Sequence, residues 1–363
     1  MWSVFFVLPN ITMRQPVGNE HVSIVPNSDS RVEESISTNP FAKALVKNFE
    51  DQFGRKIYPA ALIVNDDAPD YLRNIDALTG FRNALAISTI IKGHEHSLTS
   101  SFVAYPLYSD FFDFYPLTAS RDNDGFIKRT PSVLGFDDEH DEFRGQISPA
   151  LGAPRDLSDR AEDKVFKLLH NAWRRRFLRQ KHDEWSTRTL FRSLEMAYQA
   201  SSMPFKNHST IYDYGSSASL WVSALEILSH RRTRNADLLS VLSLLGDYVW
   251  IDKSVGRQIY KVTYGKKDHK VNLVQKLYKE LYDTRNDFLH GNPVKRNRLY
   301  PFKNTKVQPI TRFAPLVYKV ALLAYLRQFE QTPLKRMNRL GAYMEKSMDE
   351  RGLSEALLKS KSA

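Results

Sequence analysis

The first 136 residues alternate short apolar runs with turn residues, a pattern typical of strands separated by loops and helices. Three of these runs predict strands, at residues 2–8, 21–26 and 58–65. Residues 99–136 return to extended, aromatic-rich patterns, of which Tyr108–Tyr115 is the densest. This part of the chain is therefore predicted to be a mixed α/β region.

Two helices are predicted between these strands. Thr38-Asn39-Pro40 supplies a cap and a first-turn proline for a helix that carries Leu45, Phe49 and Phe53. A second helix is predicted over residues 69–92. His94-Glu95-His96 follows it and is expected to lie in a loop, because two histidines without a third ligand make a poor metal site.

The hydrophobic period becomes helical after residue 158. Residues 137–158, acidic and then rich in Gly, Pro and Ser, are the predicted linker, and Ser158 or Asp159 is the predicted cap of the next helix. Apolar residues then recur at the spacing of amphipathic helices. These helices are predicted near residues 159–181, 186–201, 217–230, 236–250, 271–290 and 312–331.

The predicted fold class is therefore α+β. A mixed α/β domain of unknown role occupies residues 1–150, an all-α helical bundle occupies residues 156–345, and residues 346–363 form a C-terminal tail. The chain has no cysteine, which excludes disulfides, thiolate metal sites and cysteine nucleophiles. No apolar run approaches the ~18 residues of a membrane-spanning helix, so we expect a soluble, cytoplasmic protein without a membrane partner.

Charge is distributed unevenly between the two parts. Residues 1–155 hold 14 basic and 20 acidic side chains, a balance of −6, whereas residues 156–363 hold 38 and 21, a balance of +17. A strongly basic region attracts polyanions such as RNA, although a solvated helical surface has the same composition.

One segment of the basic region, residues 273–293, combines a buried face with a reactive one. At 100° per residue, Leu277, Leu281, Thr284 and Phe288 form a narrow stripe that is predicted to face the core. The residues of the other face stand at i, i+4 spacings. They are Tyr282, Asn286 and His290, with Asp283 beside them.

The chemistry of this second face is suited to phosphodiesters. Gly291 should end the helix after His290, where the helix dipole favours an imidazolium that passes protons near neutral pH. Arg285 lies between the two faces, and its long side chain can reach the polar one and bind phosphate. Asn286 would orient His290 or the phosphate. These groups suffice, without metal or cofactor, to cleave RNA through its own 2′-hydroxyl.

The hexapeptide Arg285-Asn286-Asp287-Phe288-Leu289-His290 resembles the Arg-polar-x(3–5)-His signature of the HEPN superfamily. The upstream helix Leu220–Leu228, with its Leu225-Glu226 pair, is similar to a helix of the ApeA-like HEPN branch. The resemblance covers about residues 215–293. It implies a helical endoribonuclease that acts as a homodimer in antiphage defence or as a toxin. From the order of the domains alone, the N-terminal domain is expected to bind a trigger or an antitoxin partner.

Further residues complete the predicted site. Tyr282, Asp283 and Asp287 are expected to support the catalytic pair. Two basic clusters are expected to bind the RNA backbone. They consist of Lys295, Arg296 and Arg298, and of Arg231 and Arg232.

Alternatives remain open at this point. The segment from Arg176 to His182 also fits the Arg-x5-His spacing, but we interpret it as a basic helix surface. His290 could merely bond a carbonyl while Arg285 makes a salt bridge with Glu226. The chain would then be a non-catalytic module that binds RNA or a partner protein. In a third interpretation, the helical domain is a scaffold and the N-terminal domain carries an unrecognised activity.

Overall fold

The computed structural model confirms the α+β class and divides the chain into two compact units. The first unit comprises Met1–Ala86 and Tyr108–Lys167, and the second comprises Ile87–Leu107 and Leu168–Ala363. The structure describes residues 1–51, 53–100, 107–120, 122, 124–130, 134–137, 143–144, 155–156, 163–179, 184–202, 210–233, 235–329 and 339–361.

The first unit contains short strands and the beginning of a long helix. Its strands are β1 (Trp2–Leu8), β2 (Ile11–Thr12), β3 (Val17–Gly18), β4 (Val22–Val25), β5 (Phe49–Glu50), β6 (Ala60–Asn65), β7 (Leu117–Ala119), β8 (Phe126–Arg129), β9 (Leu134–Asp137), β10 (Phe143–Arg144) and β11 (Arg155–Asp156). Its helices are α1 (Ser30–Thr38), α2 (Pro40–Lys47) and the first half of α3 (Ile75–Thr99).

A four-stranded antiparallel sheet in the order β1-β6-β4-β3 organises this unit. All three strands predicted from the sequence are confirmed in it, because their apolar residues are buried against α1 and α2. The Asn39 side chain caps α2 by accepting a hydrogen bond from the Ala42 amide, as predicted. A separate meander follows, in the order β7-β8-β9.

The structure corrects three details of the predicted first region. The helix that begins at Pro40 ends at Lys47, so Phe49 lies in β5 and Phe53 is 72% exposed. Ser109–Phe112 forms a 3-10 turn, where the sequence pattern predicted extended backbone. His94-Glu95-His96 lies in α3 and not in a loop, because the apolar positions of this helix continue as far as Leu98.

The second half of α3 belongs to the second unit, whereas the sequence placed residues 87–107 in the first domain. Polar side chains of this half of α3 explain why it belongs to the second unit. Glu95, only 3% exposed, forms an ion pair with Lys319 at 2.5 Å, and Arg312 donates to the Ser97 hydroxyl. These contacts tie residues 87–99 to a helix more than 200 positions downstream, which no local pattern reveals.

Acid is expected to destabilise the fold through His94. Burial, assisted by the nearby charge of Arg312, lowers the pKa of His94 to about 3. Between pH 6.5 and 3 the unfolded chain therefore binds a proton that the folded chain does not, so stability falls as the pH falls, by up to about 1.4 kcal/mol per pH unit. Urea unfolding of a His94→Gln variant at several pH values should show a shallower acid slope than the wild type. The half-exposed His21, changed to Gln, is the control, and equal slopes for all three proteins would contradict this expectation.

The second unit is mainly helical. Its remaining helices are α4 (Lys164–Trp173), which the division places in both units, α5 (Trp185–Ser201), α6 (Ile211–Ser229), α7 (Leu238–Gly246), α8 (Lys253–Gly256), α9 (Leu273–Leu289), α10 (Ile310–Leu326) and α11 (Arg339–Leu358). Two strands, β12 (Tyr260–Tyr264) and β13 (Lys267–Val271), form an antiparallel hairpin. Helix α6 packs against α5 and α9, and α10 covers both α6 and α9.

The helical predictions are confirmed for α5, α6, α7, α9 and α10, with shifts of a few residues at their ends. Helix α4 passes into a π-helical turn at Arg174–Leu178, where Arg176 lies over Phe177 and is partly covered rather than fully solvated. Ser158, Asp159 and His182 lie outside the described residues, as does most of the predicted linker. No helix in the described part of the chain is long and apolar enough to cross a membrane.

Two features of the second unit were not predicted. The hairpin of β12 and β13 interrupts a domain that was expected to be all-α. The predicted C-terminal tail is instead the second half of α11, where Leu353 and Leu357 are buried and the carboxylate of Glu350 accepts hydrogen bonds from the Ile251 and Asp252 amides. Residues 346–361 are thus part of the folded unit.

Candidate ribonuclease site

Helix α9 has well-defined ends. At its start, Asn272 and Gln275 form a reciprocal capping box. At its end, Gly291 takes a left-handed conformation with φ of +66°, and the amides of Gly291 and Asn292 donate to the carbonyls of Phe288 and Asp287. This double closure is the Schellman motif, which needs a residue such as glycine at that position. The predicted end of the helix at His290 is confirmed to within one residue, since His290 is the C-cap.

One face of α9 is buried as the apolar stripe predicts. Leu277, Leu281 and Thr284 are at most 1% exposed. Phe288 is only partly buried, and its ring lies against Gly215 of α6. The stripe therefore fixes how α9 is rotated about its axis, which determines the direction of every polar side chain on it.

Gly215 is the residue that lets the Phe288 ring approach α6. A Cβ atom at position 215 would lie 2.4 Å from the Phe288 Cγ. We expect Gly215→Ala to lower the free energy of unfolding by about 1–2 kcal/mol, since overpacking costs ~1–3 kcal/mol and the gain in helix propensity returns up to ~1. No atom lies within 4 Å of a Cβ atom built on Gly352 in α11, so Gly352→Ala should be neutral or stabilising. Urea titrations of both variants measure these changes. Equal effects at both positions would contradict the argument.

Arg285 reaches the polar face of α9. Its Nη1 donates a hydrogen bond to the Asn286 Oδ1 at 3.0 Å, and its guanidinium lies 5.8 Å from the centre of the Tyr282 ring. The structure thus brings Arg285, Asn286 and Tyr282 together, on the stripe that ends at His290.

The other side of the guanidinium faces a buried polar pocket. Burial raises the pKa of Glu226, and the positive charge of Arg285 opposes that rise. Burial, assisted by the Glu226 charge, also raises the pKa of Tyr278 well above its usual value. Within the described residues, no ion pair within 4.0 Å joins Arg285 to Glu226, so the salt bridge of the structural alternative is not formed. The Tyr278 hydroxyl and the Arg285 Nε are both buried without a hydrogen-bond partner.

His290 is exposed at the end of α9. Its backbone amide donates to the Asn286 carbonyl. Among the contacts of the described residues, its imidazole has no hydrogen bond or ion pair, so the alternative in which His290 bonds a carbonyl is not observed either. The ring is open to a ligand or to another protein chain.

Asp283 and Asp287 do not contact the predicted catalytic pair. Asp287 accepts a hydrogen bond from the Arg298 Nε at 2.7 Å, and Asp283 lies 3.7 Å from the Arg298 Nη2 and 2.5 Å from the Lys279 Nζ. The Arg298 carbonyl also accepts from Thr284. Both carboxylates and Arg298 thus fasten the 3-10 turn Arg296–Leu299 to α9. These contacts give the three residues a structural role, and their predicted roles in supporting catalysis and in binding RNA remain predictions.

The remaining predicted RNA-binding residues are exposed and fall at two ends of the bundle. Helices α6 and α9 run antiparallel, since Gly215 meets Phe288 while Glu226 acts on Tyr278. Lys295 and Arg296 follow the His290 end of α9, whereas Arg231 and Arg232 follow the opposite end of the pair. None of these four side chains forms an ion pair within the part of the chain that is described.

The sequence interpretation missed the lysines of the hairpin. A signal for this hairpin exists in Tyr260–Tyr264, where aromatic and β-branched residues alternate with polar ones just before Gly265. Gly265 has a φ of +61°, whereas Lys266 has no positive φ, which makes the connection a II′-type turn.

No group of three or more metal-binding side chains occurs among the described residues. Comparisons with protein-family models, curated proteins and solved structures return no match for this chain.

Proposed function

We propose that the chain is an endoribonuclease of HEPN type that needs no metal ion. The observation that carries this proposal is the Arg285–Asn286 hydrogen bond, which draws the guanidinium toward Asn286, one helical turn before the exposed His290. Guanidinium groups bind phosphate oxygens in a bidentate manner, and imidazole transfers protons near neutral pH. The two groups therefore supply both requirements for cleavage of a phosphodiester.

The proposed reaction uses the 2′-hydroxyl of the RNA as the nucleophile. A base removes the proton of the 2′-oxygen, which attacks the phosphorus atom, and the bond from phosphorus to the 5′-oxygen breaks. An acid then protonates the leaving 5′-oxygen. The products are a 2′,3′-cyclic phosphate and a 5′-hydroxyl. Arg285 stabilises the charge on the phosphoryl oxygens, Asn286 positions Arg285, and His290 supplies one of the two proton transfers.

A second proton-transfer group comes, in this proposal, from a second copy of the chain. Tyr212 and Leu289 are apolar residues beside the site that are 73% and 58% exposed. Tyr212 already contacts the Phe288 ring, at 6.3 Å between centroids. A homodimer formed by the helical domain over this patch would cover it and bring two His290 side chains to one cleft.

The biological setting is proposed from the HEPN resemblance. RNA cleavage of this type would serve antiphage defence or a toxin–antitoxin pair in the cytoplasm. The first unit would receive a trigger or an antitoxin. Arg285 and His290 both belong to the second unit.

A second candidate function is RNA binding without cleavage. It is favoured by the burial of the Arg285 Nε next to Tyr278 and Glu226, because an arginine in such a pocket also acts to stabilise the fold. In that case the exposed Lys295 and Arg296 would bind RNA while His290 remained chemically idle.

Cleavage of labelled RNA in excess EDTA separates the two candidates. The nuclease predicts new fragments that carry 2′,3′-cyclic phosphate and 5′-hydroxyl ends, which are identified by their resistance to direct 3′-ligation and their acceptance of a 5′-phosphate from a kinase. Toxicity on overexpression is scored alongside, since it reveals an enzyme that needs a cellular trigger. Binding of RNA with neither fragments nor toxicity would support the binding module and contradict the nuclease.

A further inference from the structure

The β12–β13 hairpin and the residues that lead into it form a strongly basic segment. Residues 253–271 hold six basic side chains and one acidic one, a balance of +5 out of +11 for the whole chain. The acidic residue, Asp268, is bound to Lys261 at 2.6 Å and to Thr263 at 2.7 Å. Among the described contacts, Lys266, Lys267 and Lys270 have no ion-pair partner.

The register of the hairpin separates a buried face from an outward one. Val262 and Val271 are at most 4% exposed and anchor one face. On the other face Lys261 stands directly opposite Lys270. Like charges in directly opposed positions destabilise a pair of strands. Asp268 neutralises Lys261 on this face, whereas Lys270 has no ion pair among the described contacts and is available to a bound anion.

Two further lysines lie on the other face of the hairpin, where Tyr260 pairs with Val271. The Tyr260 ring packs 5.6 Å from Phe302 and 5.1 Å from the Lys361 Nζ. Lys303 adjoins Phe302 and is exposed. We call the outward face and the tip of the hairpin the hairpin patch. It consists of Lys261, Lys266, Lys267 and Lys270.

We propose that the hairpin patch is a second binding surface for the RNA backbone, formed by residues other than those around His290. Tyr264, 38% exposed and opposite Lys267 at the tip, offers a ring on which a base can stack, which favours nucleic acid over an acidic protein. The hairpin joins α9 at its start, whereas His290 is the C-cap at its end. As a deepening of the proposed nuclease, this assigns a substrate class: RNA long enough to contact both the hairpin patch and the residues around His290.

The test is a binding measurement that does not depend on cleavage. Affinity for a labelled 20-nucleotide RNA is measured by fluorescence anisotropy over a range of salt concentrations, with a Lys266→Glu/Lys270→Glu variant. We expect a loss of affinity of about tenfold at low salt and a decrease of about 1.4 in the slope of log K against log salt, about 0.7 for each phosphate that the variant no longer neutralises. Lys266→Arg/Lys270→Arg should retain the wild-type affinity. Lys128→Glu is the control for a charge reversal elsewhere, on the exposed surface of β8.

Each outcome decides one claim. Unchanged affinity and slope in the Glu variant, with an unchanged melting temperature, would overturn the hairpin patch as an RNA surface. Tighter wild-type binding of a 20-residue polyglutamate than of the RNA would overturn the choice of ligand. RNA binding that depends on the hairpin, with neither cleavage nor toxicity on overexpression, supports the patch and contradicts the nuclease. Cleavage that is insensitive to the hairpin charges contradicts the patch alone.

Discussion

Replacing His290 with alanine is expected to slow RNA cleavage by about 10²- to 10⁴-fold, the usual contribution of a positioned general acid or base. The expectation follows from the place of the imidazole at the C-cap of α9, exposed and without a hydrogen bond to the described residues. The measurement is the initial rate of fragment formation from a labelled RNA in EDTA. RNA affinity should stay within a few-fold of the wild type, because the basic residues around the site are untouched.

The Arg285→Ala change should have a comparable effect on the rate, since loss of a group that stabilises transition-state charge costs about 10²- to 10³-fold. Arg285→Lys keeps the charge but not the planar fork that bonds Asn286, so it should recover only part of the rate. The double variant should be little slower than the slower single variant, because groups that act as a unit are not additive.

Matched controls separate the effect of the site residues on the cleavage rate from the effect of losing any histidine or arginine. His21 lies in the first unit, and Arg188 is exposed on α5. Alanine at either position should leave the rate unchanged. Wild-type rates in both His290→Ala and Arg285→Ala would end the nuclease proposal, whereas an unfolded Arg285→Ala protein would leave His290→Ala to decide it.

The ends and the rotation of α9 could be predicted because the signals are local. The buried stripe of Leu277, Leu281 and Thr284 needs only the 3.6-residue period, and the end of the helix needs only Gly291. The approach of Arg285 to Asn286 also follows from one helix, since the two residues are adjacent. These parts of the site depend on sequence neighbours, which a single sequence shows directly.

The partners of the acidic residues could not be predicted in the same way. Asp283 and Asp287 stand on α9 beside the reactive stripe, but Arg298 reaches them from a turn that follows a loop of unpatterned residues. An arginine can bind a carboxylate or a phosphate equally well. Only the path of the chain after Gly291 determines which of the two Arg298 contacts. The structural role of these three residues follows from that path.

The hairpin was missed because half of it lacks strand character. Lys267–Val271 consists of polar and charged residues that are uncommon in strands, and it forms β13 only because Tyr260–Tyr264 pairs with it. The helix predicted to carry Phe49 and Phe53 shows the converse error. Leu45, Phe49 and Phe53 are spaced four residues apart, as in a helix. The helix nevertheless ends at Lys47, and Phe49 lies in β5.

The C-terminal residues were interpreted as a tail because their polar side chains suggest a solvated segment. Glu350 contradicts that expectation, since it is 3% exposed and its Oε1 accepts the amides of Ile251 and Asp252, each at 2.7 Å. The carboxylate also lies 3.4 Å from the Tyr248 hydroxyl, and burial together with the Glu350 charge raises the pKa of that tyrosine. One charged side chain thus fastens α11 to the loop before α8.

Glu350→Ala is accordingly expected to lower the free energy of unfolding by about 3 kcal/mol. The change removes two hydrogen bonds to a charged acceptor, worth ~1.5–3 kcal/mol each, and leaves two amides without a partner in a site that is largely closed to water. Glu350→Gln retains an acceptor oxygen without the charge and should lose about half as much. Glu355, exposed on the same helix, gives the control Glu355→Ala, for which we expect a change within ~0.5 kcal/mol. Urea titrations followed by circular dichroism measure all three, and equal losses at positions 350 and 355 would show that α11 is held by its apolar residues alone.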